Sequence, residues 1–202
     1  MSKSTLFAAL LLVAFTSAAS AQQPPTVRIR GTIEAVDGAM LSIKSRDGDD
    51  MKVRTTDNVA VFGVAKTDLS QIKAGSYIGV TAMPEPDGTQ RAIAVHIFPE
   101  NQRGAAEGFR PWDLRANSTM TNATVAETVE GTDGQNIRVK YKDGEKKVVV
   151  PPGTPVVTFV SGDKSELRPG AKIIIFGAVK KDDGTLEANR VNVGRDGVTP
   201  PM

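Results

Sequence analysis

The sequence predicts an all-β protein built from two copies of one five-stranded barrel, and three observations carry that expectation. Apolar and polar residues alternate with period two, as around Val27, Ile33, Leu41 and Ile43, which is the pattern of strands with one buried face. Seven Asp-Gly dipeptides, beginning at Asp37, Asp47, Asp87, Asp133, Asp143, Asp183 and Asp196, supply tight turns because both residues tolerate positive φ. The pattern also recurs at one spacing: Asp143-Gly144 follows Asp47-Gly48 by 96 residues, as Ile137 follows Leu41 and Asp183-Gly184-Thr185 follows Asp87-Gly88-Thr89.

The chain opens with a different kind of text. Lys3 provides a positive start, Leu6 to Phe15 is an unbroken apolar run, and Ala19-Ser20-Ala21 offers a small-x-small cleavage pattern. Residues 1–21 therefore read as a secretory signal peptide cleaved after Ala21, and the expected location is periplasmic or secreted. The apolar run is about half of the roughly 20 residues that a spanning helix needs, so no membrane span is expected.

Residues 22–98 form the first copy. Strands are expected around Val27 to Val36, Leu41 to Ser45 and Met51 to Val61, with Asp37-Gly38 and Asp47-Gly48 turning the hairpins. Asp68 to Gly75 reads as a short helix, with Asp68 as cap, Gln71 reaching back and Gly75 closing it. Strands around Ile78 to Ala82 and Ile93 to Ile97 complete the unit. Residues 121–202 repeat this order, with a second capped turn from Asp163 to Gly170 and with Val191 and Val193 answering Val95 and Ile97. Five strands with a helix between the third and fourth is the order of an OB-type Greek-key barrel, so two tandem OB-like barrels are expected. Residues 99–120 have no counterpart in either copy and hold the only tryptophan, Trp112. Phe109, Trp112 and Leu114 are costly to leave in water, so this linker is expected to be ordered.

Composition removes several functions. The chain has 25 Lys plus Arg against 23 Asp plus Glu, and this near balance disfavours a nucleic-acid partner, whose phosphates call for a strongly basic face. With no cysteine there is neither a disulfide nor thiol chemistry.

Two phrases, Arg110-Pro111-Trp112-Asp113-Leu114 and Ser118-Thr119-Met120-Thr121-Asn122-Ala123-Thr124-Val125, resemble a family of exported bacterial proteins of unknown function built from OB-like domains. The resemblance covers essentially the whole mature chain and implies a periplasmic two-barrel protein, with no catalytic residue attached. Relatives that bear a metal-transport permease label suggest at most an accessory role here, because the mature sequence has no spanning segment.

Candidate chemistry is sparse. His96, the only histidine, falls in the fifth strand of the first copy opposite the Ile93, Val95 and Ile97 face, and its counterpart is Asn192, so a solvent-facing polar site is expected. The carboxylate clusters Asp47 to Asp50 and Asp182-Asp183 sit at turns and lack the calcium-loop pattern. Lys44 and Arg46, with Lys52 and Arg54, form a basic ladder on the polar face of the first copy, as Arg138, Lys140 and Lys142 do on the second. In the linker, Arg103, Glu107, Arg110, Trp112, Asp113 and Arg115 combine an apolar anchor with Arg and carboxylates, a composition suited to a binding hot spot or to a clasp in which Arg110 or Arg115 pairs with Asp113 or a neighbouring acid. The sequence points to an exported binding module that is not an enzyme, needs no cofactor and meets an unknown protein or anionic polymer. A soluble metal-handling accessory protein is the alternative.

Overall fold

The computed structural model describes residues 25–131 and 134–202; the expected signal peptide and the Asp133 turn residue lie outside them. The chain is all-β, with helical structure confined among the described residues to single 3-10 turns. The first copy supplies β1 (Thr26–Asp37), β2 (Met40–Ser45), β3 (Asp50–Lys66), β4 (Tyr77–Pro84) and β5 (Gln90–Ile97). The linker contributes β6 (Gly108–Pro111). The second copy supplies β7 (Thr119–Gly131), β8 (Gly134–Tyr141), β9 (Gly144–Val150), β10 (Val156–Ser161), β11 (Lys172–Lys180) and β12 (Leu186–Gly194).

The strands close across the copies. β1 pairs with β2 on one side and with β11 on the other, where Ile29 faces Ile175 and Gly31 faces Ile173. β3 pairs with β2 and runs parallel to β12, and β12 returns to β11, which completes a closed five-stranded barrel. The other strands mirror this arrangement. β4 lies between β5 and β7, β7 leads through β8 to β9, and β9 meets β5 in a short parallel ladder at Gln90–Val148 and Arg91–Val149.

The tandem arrangement, in which each copy closes on itself, is therefore corrected: each circuit takes its first three strands from one copy and its last two from the other. The cause lies in β3. Its 17 residues, at about 3.3 Å per residue, carry the chain roughly 55 Å. Its beginning pairs with β2, while its end, from Phe62 to Lys66, pairs with β10. The chain has thus left its own barrel before β4 begins. In the second copy the same stretch is split into β9 and β10 by Pro151-Pro152-Gly153, because proline cannot donate to a ladder.

The two expected helices are each one 3-10 turn. Asp68 Oδ1 accepts from the Ser70 amide at 2.7 Å ahead of Leu69–Gln71. Asp163 and Glu166 form a full capping box around Lys164–Glu166. The N-caps Asp68 and Asp163 sit where expected, whereas the turns end at Ile72 and Leu167, short of the expected Gly75 and Gly170, because segments this short cannot meet the cost of nucleating an α-helix.

Three apolar clusters follow. Ile29, Ile33, Leu41, Ile43 and Val191 fill the first circuit, and Ile78, Val80, Val95, Val139 and Val148 fill the second. Val64, Met120, Phe159, Ile174 and Met202 form a third between them, with Phe98, Trp112 and Phe176 packed on it. No helix among the described residues is long and apolar enough to cross a membrane.

Candidate functional site

The linker is ordered and tied to both circuits. β6 pairs with β7, Phe109 facing Thr121 and Arg110 facing Met120. Arg103 donates to the Gly75 carbonyl at 2.8 Å and pairs with Glu100, and Glu107 Oε1 accepts from the Lys142 amide at 2.9 Å. Towards the first barrel, Asp113 Oδ1 takes Arg28 Nη1 and Arg30 Nη2, both at 2.7 Å. Burial alone would raise the Asp113 pKa, but the hydrogen bonds from Arg30 and Arg28 outweigh it and hold the group at about 2. Arg28 and Arg30 reach Asp113 together because they are two residues apart on β1 and share a face. The clasp partners of Asp113 are thus on β1, which corrects the expected pairing with Arg110 or Arg115. Arg115 is exposed at the linker turn, where its amide donates to Ser118 Oγ.

Two of the four bases in the first copy's ladder are paired with acids. Lys44 Nζ meets Asp50 at 2.9 Å, and Arg46 meets Asp47 at 3.5 Å while also donating to the Leu114 carbonyl. Lys44 and Arg46 therefore stand apart from the linker's functional side chains, and Arg46 acts as a further tie.

His96 is the main correction. It is only 3% exposed, because β5 is covered on both faces: Val95 points into the second circuit, while His96 packs edge-on against Phe98 and Phe159 in the central cluster. Burial, and then the nearby Arg110 charge, push its pKa down to about 3, so the imidazole is neutral at ordinary pH. Gly79 makes the room. A Cβ there would lie 2.0 Å from His96 Cε1 and 2.7 Å from Asn122 Oδ1. Asn192, the counterpart of His96, is also buried and donates to the Ile174 carbonyl at 3.1 Å.

Beside His96, under the linker, opens a cavity of about 320 Å³. Its apolar walls come from Phe98, Trp112, Met120, Phe159 and Phe176, and its charged groups are Arg28, Arg110 and Arg190, with no Asp or Glu among the described residues that line it. The Arg28 guanidinium lies 3.6 Å over the Trp112 ring. Arg190 lies 4.0 Å over Phe62 and is held by the Asn192 and Gln102 side-chain oxygens. Arg110 donates to the Ala106 carbonyl at 2.8 Å. Burial lowers the pKa of both Arg110 and Arg190, with the Arg28 charge adding to the effect at Arg110.

Of the residues singled out in the sequence, the structure brings His96, Arg110 and Trp112 to this cavity, with Asp113 behind Arg28. Arg28, Arg190 and the three phenylalanines were missed. One signal for Arg190 was present: it is a charge on the same strand face as Asn192, at a position where the first copy has Ala94. Among the described residues, no grouping of three or more His, Cys, Asp and Glu side chains is placed to hold a metal ion.

No family model, curated protein or solved structure matches this chain.

Proposed function

We propose that this protein is an exported, non-enzymatic binding module whose ligand seat is the cavity under the linker. One observation carries the reading. A cavity at the lower end of the ligand-pocket size range, walled by aromatic rings and holding a few polar groups, is the usual form of a small-molecule site. The remaining architecture supports it. Each circuit follows the 1-2-3-5-4 order of an OB-type barrel, with strands four and five borrowed from the other copy, and the cavity lies where the exchange and the linker meet. Phe159 and Phe176 stand on the paired strands β10 and β11, while Phe98 and Trp112 directly follow β5 and β6. The basic faces at Lys44 and Arg46 recede as partner sites because their charges are already paired.

The test is uptake of the neutral dye N-phenyl-1-naphthylamine by the full chain. Saturable one-to-one binding is expected, and Ala105→Phe, which places a ring in the cavity lining, should abolish it while leaving the circular dichroism spectrum unchanged. Failure of the wild type to take up the dye, or equal uptake by the variant, contradicts the reading.

A further inference from the structure

Resting on that reading, we infer that the ligand is an organic monocarboxylate with an apolar, aromatic-sized body, its carboxylate seated between Arg110 and Arg190. The argument begins with charge. Several arginines elsewhere meet acids: Arg28 and Arg30 share Asp113, Arg103 takes Glu100, Arg138 takes Glu127 and Arg195 takes Glu166. Arg110 and Arg190 differ. Both are half-buried, and among the described residues their hydrogen bonds go only to a backbone carbonyl and to neutral amide oxygens. A guanidinium withdrawn from water without a counter-charge is costly, and two of them facing one cavity raise that cost. An anion entering the cavity removes it.

The anion must also suit the walls. Trp112, Phe98, Phe159 and Phe176 pack on one another in pairs, as at 5.8 Å for Phe98–Phe159 and 6.4 Å for Trp112–Phe176, and together give the cavity an aromatic wall suited to an aromatic or compact alkyl body. Inorganic phosphate would satisfy the arginines and leave these walls in contact with water. A neutral aromatic would satisfy the walls and leave the arginines uncompensated. Guanidinium forks match a planar carboxylate in bidentate geometry, and a small cavity limits the ligand to one such head group.

Isothermal titration of the full chain with 4-phenylbutyrate, 4-phenyl-1-butanol and inorganic phosphate separates the possibilities. The acid is expected to bind at least tenfold more tightly than the alcohol. Arg110→Gln and Arg190→Gln should each weaken the acid about tenfold and leave the alcohol unchanged, so that alcohol binding also reports an intact fold. Equal affinity for acid and alcohol overturns this inference while the cavity still stands as a ligand seat. Phosphate binding as tightly as the acid overturns it in favour of a simple anion site. If neither the acid, the alcohol nor the naphthylamine dye binds, the underlying reading falls as well.

Discussion

The Arg28 guanidinium lies 3.6 Å over the ring of Trp112, joining the first strand of the chain to its linker 84 positions later. The same arginine pairs with Asp113, so the contact is both a wall of the cavity and part of the clasp. Trp112→Ala should therefore lower stability by about 2–4 kcal/mol, below the cost of a fully buried tryptophan because the ring is only partly covered. Urea midpoints measure this, and a loss under about 0.5 kcal/mol would show that the linker is not fastened there.

His96 gives the protein a dependence on pH above the range where carboxylates titrate. Its folded pKa, about 3, lies below the unfolded value near 6.5, so between them the unfolded chain binds the extra proton and stability falls as pH falls. From pH 6.5 to pH 5 the loss should be about 2 kcal/mol at 1.36 kcal/mol per unit. His96→Gln should flatten that slope when urea unfolding is compared across the same range; an equal slope in both proteins would place the titration elsewhere.

Gly79 and Gly177 both sit in strands and should respond oppositely to alanine. At Gly79 the new methyl meets His96 at 2.0 Å and Asn122 at 2.7 Å, so a buried side chain must shift and Gly79→Ala should cost about 1–3 kcal/mol. At Gly177 the nearest atom is 3.7 Å away on Thr26, an ordinary contact, so Gly177→Ala should be neutral or stabilise by about 0.5 kcal/mol through lost unfolded-state freedom. Thermal melts of the pair decide it, and equal shifts would contradict the close packing at His96.

The strand exchange can be read from cross-links in a chain with no native cysteine. Thr32 faces Lys172 across β1 and β11, while Tyr77 of β4 faces Thr124 of β7. A Thr32→Cys, Lys172→Cys chain should oxidise to an intramolecular disulfide, since cross-strand partners fall within bridging distance. A Thr32→Cys, Tyr77→Cys chain should not. Peptide mapping under non-reducing conditions distinguishes them, and the reverse outcome would restore self-closed copies.

Much of this fold was legible because it is local. Alternation marked the strands, Asp-Gly marked the turns, and the Asp68 and Asp163 caps sit where their spacing placed them. The choice of partner was not legible. Val61 must lie beside a fifth strand, but Val95 and Val191 carry the same local pattern, and only the reach of β3 decides that Val191 is the neighbour. The same gap hid the site. His96 looked solvent-facing because alternation gives the face of a strand and not what covers it; here Phe159 and Phe98 do. Arg110 and Trp112 were visible as unusual residues, whereas Arg28 and Arg190 join them only through pairings more than 80 residues away in sequence.

Because Trp112 is the only tryptophan and lines the cavity, its fluorescence reports the proposed seat directly. Titrating the full chain with 4-phenylbutyrate should give a saturable change in Trp112 emission that Arg190→Gln weakens about tenfold and that 4-phenyl-1-butanol reproduces only at much higher concentration. An emission spectrum that stays constant through the titration, or a change identical in wild type and Arg190→Gln, would contradict an arginine-gripped carboxylate beneath the linker.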